Sequence, residues 1–154
     1  MQSDTEILPA AAPLTRAEKV AEINRKLDGF KAEFLDVVHT FSAGVYTRTG
    51  KFKKGEVIIG TKARVENILT IYRGSLLVWD SENGVRRITA PFSEVTPPGR
   101  QRIGIALEDV EGANIRPTTA TTVEAVENEM FHPLTIPSNP GEIIMQMTEK
   151  LLTQ

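Results

Sequence analysis

Residues 55–74, "GEVIIGTKARVENILTIYRG", decide how the rest of the chain is read. The stretch holds two apolar runs, "VIIG" at 57–60 and "NILTIY" at 67–72, closed off by Gly55, Gly60 and Gly74. Each run is too short for a helix and rich in β-branched residues, which pack well on a pleated surface and poorly in a helical turn. Two strands joined by a short connection are therefore predicted here. The stretch contains no histidine.

Runs of the same kind continue on both sides. "GVYTRT" at 44–49 precedes it; "SLLVWD" at 75–80, "VRRITA" at 85–90, "FSEV" at 92–95, "RIGIAL" at 102–107 and "ANIRP" at 113–117 follow. Gly, Pro and Asn-Gly separate them, and many short strands punctuated in this way predict a β-sandwich or barrel, here over residues 42–118. Within "SLLVWDSENGVRRITA" the pair Asn83-Gly84 can supply the positive φ angles of a tight hairpin turn.

The flanks have another period. Residues 1–14, with Pro9, Pro13 and an alanine run between them, read as an extended arm. A helical segment is predicted over 15–41, opened by the capping box Thr15-Arg-Ala-Glu18. Val20, Ile23, Leu27, Phe30, Phe34, Val37 and Phe41 then recur at steps of three and four. Gly29 costs a helix interior about 1 kcal/mol, and "VVHTF" at 37–41 has strand character, so the pattern weakens beyond residue 27. Residues 119–154 read as a helical extension. Thr121-Thr-Val-Glu124 is a second capping box for a short helix to Met130, and Asn139 with Pro140 marks the start of another. Ile143, Ile144, Met147 and Leu151 form one face of that last helix, to be buried on the barrel or on another chain; they are the candidate partner contacts.

Composition bounds the function. A chain of 154 residues with 40% hydrophobic content can fill one core. Eighteen basic against 20 acidic residues give a net charge of −2, with no electrostatic footprint for nucleic acid or an anionic membrane. No apolar run approaches the roughly 18 residues of a spanning helix, and the start has no basic and apolar leader pattern, so no signal peptide is expected. With no cysteine there is no disulfide and no thiolate chemistry. No phosphate-binding loop, dinucleotide fingerprint or Gly-x-Ser-x-Gly elbow is present.

The ordered series "HTFSAGVYTR" (39–48), "KKGEVIIG" (53–60), "ENILTIYRG" (66–74), "GVRRITAP" (84–91), "PPGRQRIGIALED" (97–109) and "NIRPT" (114–118) resembles the cupins. Within them it is most similar to the short cupin-like proteins of tailed bacteriophages and prophages. The resemblance implies a mainly β fold: a single cupin-like jelly-roll barrel with an N-terminal helix and one or two C-terminal helices. It also implies where a metal would sit. The general pattern G-x5-H-x-H-x3-E-x6-G, started at Gly55, puts its ligand positions on Thr61, Ala63 and Asn67 and its closing glycine on Gly74. The second pattern, P-x-G-x2-H, runs from Pro97 to Arg102, and a histidine of the phage-type relatives corresponds to Arg116.

A catalytic metal needs three or more imidazole or carboxylate ligands at about 2.0–2.2 Å, and an arginine coordinates none. His39 and His132, the two histidines, fall before and after the predicted barrel. No metal and no cofactor are therefore expected. The leading reading is a non-enzymatic structural protein, an assembly unit of a phage virion, in the capsid or tail, located in the particle or the host cytoplasm. Its partners would be further copies of itself, as a dimer or more, and other virion proteins. The alternative is a barrel whose interior residues Asn67, Arg102 and Arg116 bind a small anion or nucleotide, with Arg102 and Arg116 otherwise paired to Glu108, Asp109 or Glu111. A metal-independent cupin enzyme is the third reading.

Overall fold

The computed structural model describes residues 13–27, 37–133 and 135–152. A helix α1 (Arg16–Leu27) leads into β1 (Val38–Ser42), β2 (Val45–Phe52), β3 (Val57–Ile59), β4 (Asn67–Arg73) and β5 (Ser75–Asp80). There follow β6 (Gly84–Thr89), β7 (Phe92–Thr96), β8 (Arg102–Ala106) and β9 (Val110–Pro117), then helices α2 (Val123–Met130) and α3 (Pro140–Leu152). The strands lie in two antiparallel sheets, ordered β1-β2-β9-β4-β7 and β3-β8-β5-β6. Beyond the β1-β2 and β5-β6 hairpins, sheet neighbours come from distant parts of the chain. Two interlocked Greek keys give this strand order, which is that of a jelly roll.

The opening stretch supplies β3 and β4, as its two apolar runs predict. Gly74 explains how the chain then changes sheets. Its φ is +83°, and a Cβ there would stand 2.2 Å from the carbonyl oxygen of Asp109. Only glycine permits that turn so close to a neighbouring backbone.

Local chemistry moved three predicted features. The β5-β6 connection is a three-residue turn in which Gly84 takes φ +72° and Asn83 stays out of the positive region. Asp80 sets it, because its carboxylate Oδ1 accepts from the N–H groups of Glu82 (2.8 Å) and Asn83 (3.3 Å). The helical segment expected to reach residue 41 instead holds β1 from Val38, where the β-branched and aromatic residues pair with β2. Residues 1–12 of the arm and the stripe positions Phe30 and Phe34 lie outside the described residues. The cap of α2 is Thr122, accepting from the N–H of Ala125, one residue later than the predicted box.

Three layers result. The core between the sheets gathers Ile71, Leu76, Val78, Ile88, Ala106 and Val110. A second core lies outside the four-stranded sheet, where Ile143, Ile144 and Met147 of α3 pack on Ile59, Leu77 and Ile103. These three residues are buried on the chain's own sheet, so they form no outward face for a partner; Leu151 alone of the four predicted contacts is exposed.

Helix α1 lies across α3 and caps it. Gly141 N–H donates to Asn24 Oδ1 at 2.7 Å, and Asn24 Nδ2 donates to Asn139 Oδ1 at 2.8 Å. Asn139 stands at the predicted N-terminus, but the capping oxygen comes from a residue 117 positions away from Gly141 in the chain. Arg16 adds ion pairs to Glu142 and Glu149, each at 2.6 Å. Gly141 is required by the approach, since a Cβ would lie 2.4 Å from the Val20 carbonyl oxygen. Asn24→Ala is expected to cost about 0.5–2 kcal/mol, the usual worth of a cap, measured by urea unfolding.

Candidate functional site

Inward-facing residues of both sheets enclose a cavity of about 160 Å³. Strand alternation determines who faces it. On β2 and β9 the pairs Arg48–Asn114, Gly50–Gly112 and Phe52–Val110 point inward, and on β8 Arg102 and Gly104 do. The predicted ligand positions converge as the resemblance implies: Thr61, Ala63, Asn67 and Arg102 all line this one cavity.

Arg116 does not. It follows Asn114 in the alternation of β9 but stands at the strand's end, where Nε donates to Glu129 of α2 (3.2 Å) and Nη1 to the Glu66 carbonyl oxygen. Asn114 takes the interior position instead, donating from Nδ2 to Asn67 Oδ1 at 3.0 Å. Arg48 was missed as well, although its alternation with Tyr46 and Gly50 places all three on the inner face.

Three arginines, Arg48, Arg100 and Arg102, line the cavity, and no carboxylate does among the described residues. The counter-charges stand behind them. Asp80, fully buried, lies 3.3 Å from Arg100 Nε and 3.7 Å from Arg102 Nε. Glu94 reaches Arg100 at 3.1 Å and Arg102 at 3.7 Å, and also pairs with Arg86. The partners expected for Arg102, Glu108, Asp109 and Glu111, are used elsewhere: Glu108 accepts from Ser75, Asp109 from Lys54 N–H, and Glu111 pairs with Lys51. Strand order explains this, since β8 lies against β5, which ends at Asp80.

Arg102 is the least satisfied of the set. Nη1 donates to Thr96 Oγ1 at 2.8 Å, while Nε and Nη2 are buried without a hydrogen bond among the described residues. Burial holds its guanidinium below the usual value, against the opposing pull of Glu94 and Asp80. It remains a cation at any working pH. Burial likewise lowers Arg48, opposed by Glu127, and its guanidinium carbon lies 5.1 Å from the centroid of the Phe131 ring.

An outer chamber of about 560 Å³ adjoins the cavity, sharing Val37, Arg48, Thr61 and Phe131 with it. Both histidines line this chamber, with Arg64 and Glu127. The His39 Nδ1 is 2.6 Å from the hydroxyl of Tyr46, whose pKa burial pushes up to about 12. Tyr46 therefore keeps its proton at neutral pH and can hold His39 in place by donating to Nδ1. Sequence position alone put His39 and His132 far apart; folding α2 over the barrel mouth brings them together.

The interior does not fit a metal. The positions that the cupin resemblance singles out carry a hydroxyl, a methyl, an amide and a guanidinium, and among the described residues no three of His, Cys, Asp or Glu could hold an ion. What the arrangement can do is bind: fixed cations and amide donors face one small volume.

No family model matches the chain, and no curated protein matches it in sequence. Among solved structures it is similar to a cupin superfamily protein from Desulfitobacterium hafniense, with 14% identity and a TM-score of 0.45 over 72% of this chain and 94% of that one. It is similar to a cupin-2 domain containing protein from Shewanella frigidimarina, with 16% identity and a TM-score of 0.44 over 67% of this chain and 99% of that one. It is also similar to the DMSP lyase DddQ from Ruegeria pomeroyi, with 13% identity and a TM-score of 0.45 over 53% of this chain and 42% of that one. Scores of this size carry no argument about function, and nothing in them bears on the bacteriophage expectation. The jelly roll itself stands on the strand order.

Proposed function

We propose that the protein is a metal-free, cupin-like binding protein whose barrel interior takes a small anion, without catalysis at a metal. The observation that carries this reading is the lining itself: Arg48, Arg100 and Arg102 face the cavity, and among the described residues no carboxylate does. A carboxylate or phosphate would suit such a lining, because guanidinium geometry matches both. Asn67, Asn114 and Thr96 line the same cavity and add neutral polar groups.

Calorimetric titration with a panel of small carboxylates and phosphates tests it. Arg102→Ala should weaken whichever anion binds by roughly tenfold or more, the worth of a charged hydrogen bond. An unchanged affinity in a folded variant, or no binding across the panel, would sink the reading. Arg116→Ala should leave binding unaltered, since that side chain is spent on Glu129 and Glu66.

A second reading, the assembly subunit expected from the flanks and the phage resemblance, draws support from the outer face of the five-stranded sheet. Two full rows across it, Thr40-Thr47-Ile115-Ile68-Val95 and Val38-Thr49-Ala113-Thr70-Ser93, hold no charged residue. Val38 and Val95 are 59% and 52% exposed. Two copies of the chain could meet on this face without like charges opposing. Sedimentation of the purified chain, with Ile68→Lys and Val95→Glu as variants, separates the readings: a monomer throughout removes the support for assembly through this face.

A further inference from the structure

The interior changes character along its axis, and the strand registers define how. On the five-stranded sheet the level of Arg48 and Asn114 gives way to Gly50 and Gly112, then to Phe52 and Val110. On the facing sheet Arg102 beside Asp80 gives way to Gly104 beside Val78, then to Ala106 beside Leu76. The two gradients run the same way. Arg102 meets Thr96 across the sheets at one end, and Leu76 and Val110 share one cluster at the other. Four residues of strand, roughly 13 Å, separate the ends. Between them Gly50, Gly104 and Gly112 line the cavity beside Ile58, Ile71 and Val78.

Such an interior is half satisfied by either simple class of ligand. An inorganic anion at Arg102 would leave the apolar floor empty. A hydrocarbon would fill the floor, since a cavity of about 150 Å³ takes a benzene, but it would offer nothing to the polar end, where Arg102, Thr96, Asn67 and Asn114 line the cavity. Charge selects further. Asp80 and Glu94 stand directly behind the arginines, so a dianion would meet more repulsion than a single carboxylate.

We infer that the ligand is a small monocarboxylate of roughly six carbons with an apolar tail, the size that a cavity near 160 Å³ admits. Its carboxylate lies at Arg102 and Thr96, and its tail runs past Gly50 and Ile71 toward Leu76 and Val110. This rests on the anion reading above and adds the tail to it.

Calorimetric titration of the unmodified full chain with acetate, butanoate, hexanoate, decanoate and hexanol tests the two parts separately. Affinity should rise about fourfold per methylene, the worth of burying that group, up to roughly hexanoate, and fall for decanoate. Hexanol should bind far more weakly than hexanoate. Gly50→Val supplies an independent check. A Cβ at Gly50 would meet only the Phe52 ring, at 3.4 Å, and the backbone there is ordinary strand, so the variant should fold with its side chain in the tail's path. It should lose the hexanoate gain and keep the acetate affinity.

Equal affinities for acetate and hexanoate would overturn the tail while leaving the anion site standing. Hexanol binding as tightly as hexanoate would overturn the carboxylate position. If no carboxylate binds, the inference falls together with the reading beneath it.

Discussion

Replacing Asp80 with alanine is expected to destabilise the protein by about 3–5 kcal/mol, the cost of removing one partner from a buried charge cluster. Asp80 is fully buried and faces Arg100 and Arg102 at once, so its loss leaves two largely buried cations with Glu94 as their one remaining common counter-charge among the described residues. It also removes the acceptor that shapes the β5-β6 turn. Asp80→Asn separates the two roles, because an amide oxygen can still hold the turn. Urea unfolding of both variants is the measurement. If Asn restores most of the stability, the turn dominates; a loss below about 1 kcal/mol for Ala would mean that Glu94 and Glu82 suffice for the arginines.

Met147→Ala is expected to cost about 2–5 kcal/mol, as truncations of buried methionine do. The side chain is fully buried in the cluster that joins α3 to Ile59, Leu77 and Ile103. Leu151→Ala, on the exposed part of the same helix, should fall within about 0.5 kcal/mol of the parent. The contrast bears directly on what α3 is for. Urea unfolding beside size-exclusion chromatography would show it: lost association at unchanged stability in Met147→Ala would mean that the helix serves a partner rather than its own sheet.

The strands were legible in the sequence because period and punctuation are local. "VIIG" and "NILTIY" needed only their β-branched residues and bounding glycines, and α3 needed only Asn139 and Pro140. The interior was partly legible, since Thr61, Ala63, Asn67 and Arg102 fall on a spaced pattern. Arg116 misled because a spacing argument cannot say where a strand leaves the barrel; β9 ends at Pro117, and Glu129 of α2 waits beside it. The counter-charges of Arg102 were invisible for another reason. Asp80 and Glu94 reach it through the order of strands in two sheets, and a single sequence does not state which strands become neighbours. The cap on α3 is the same case at longer range, for nothing near Gly141 announces that Asn24 will supply the oxygen.

That cap also has a bearing on motion. The contact between α1 and α3 spans 126 positions between Arg16 and Glu142, the two ends of the chain meeting over a finished barrel. Contacts of such separation form late, after nearer pairings have shortened the path between them. In the reverse direction α1 is expected to lift away while both sheets stay intact, a sub-global opening that native-state hydrogen exchange at the first amides of α3 would detect. Each such excursion would take Asn24 with it, leaving the first amides of α3 to water and uncovering Ile23's side of the outer core. The first helix is thus a clasp whose release reports on the end of the chain, and not on the barrel it closes over.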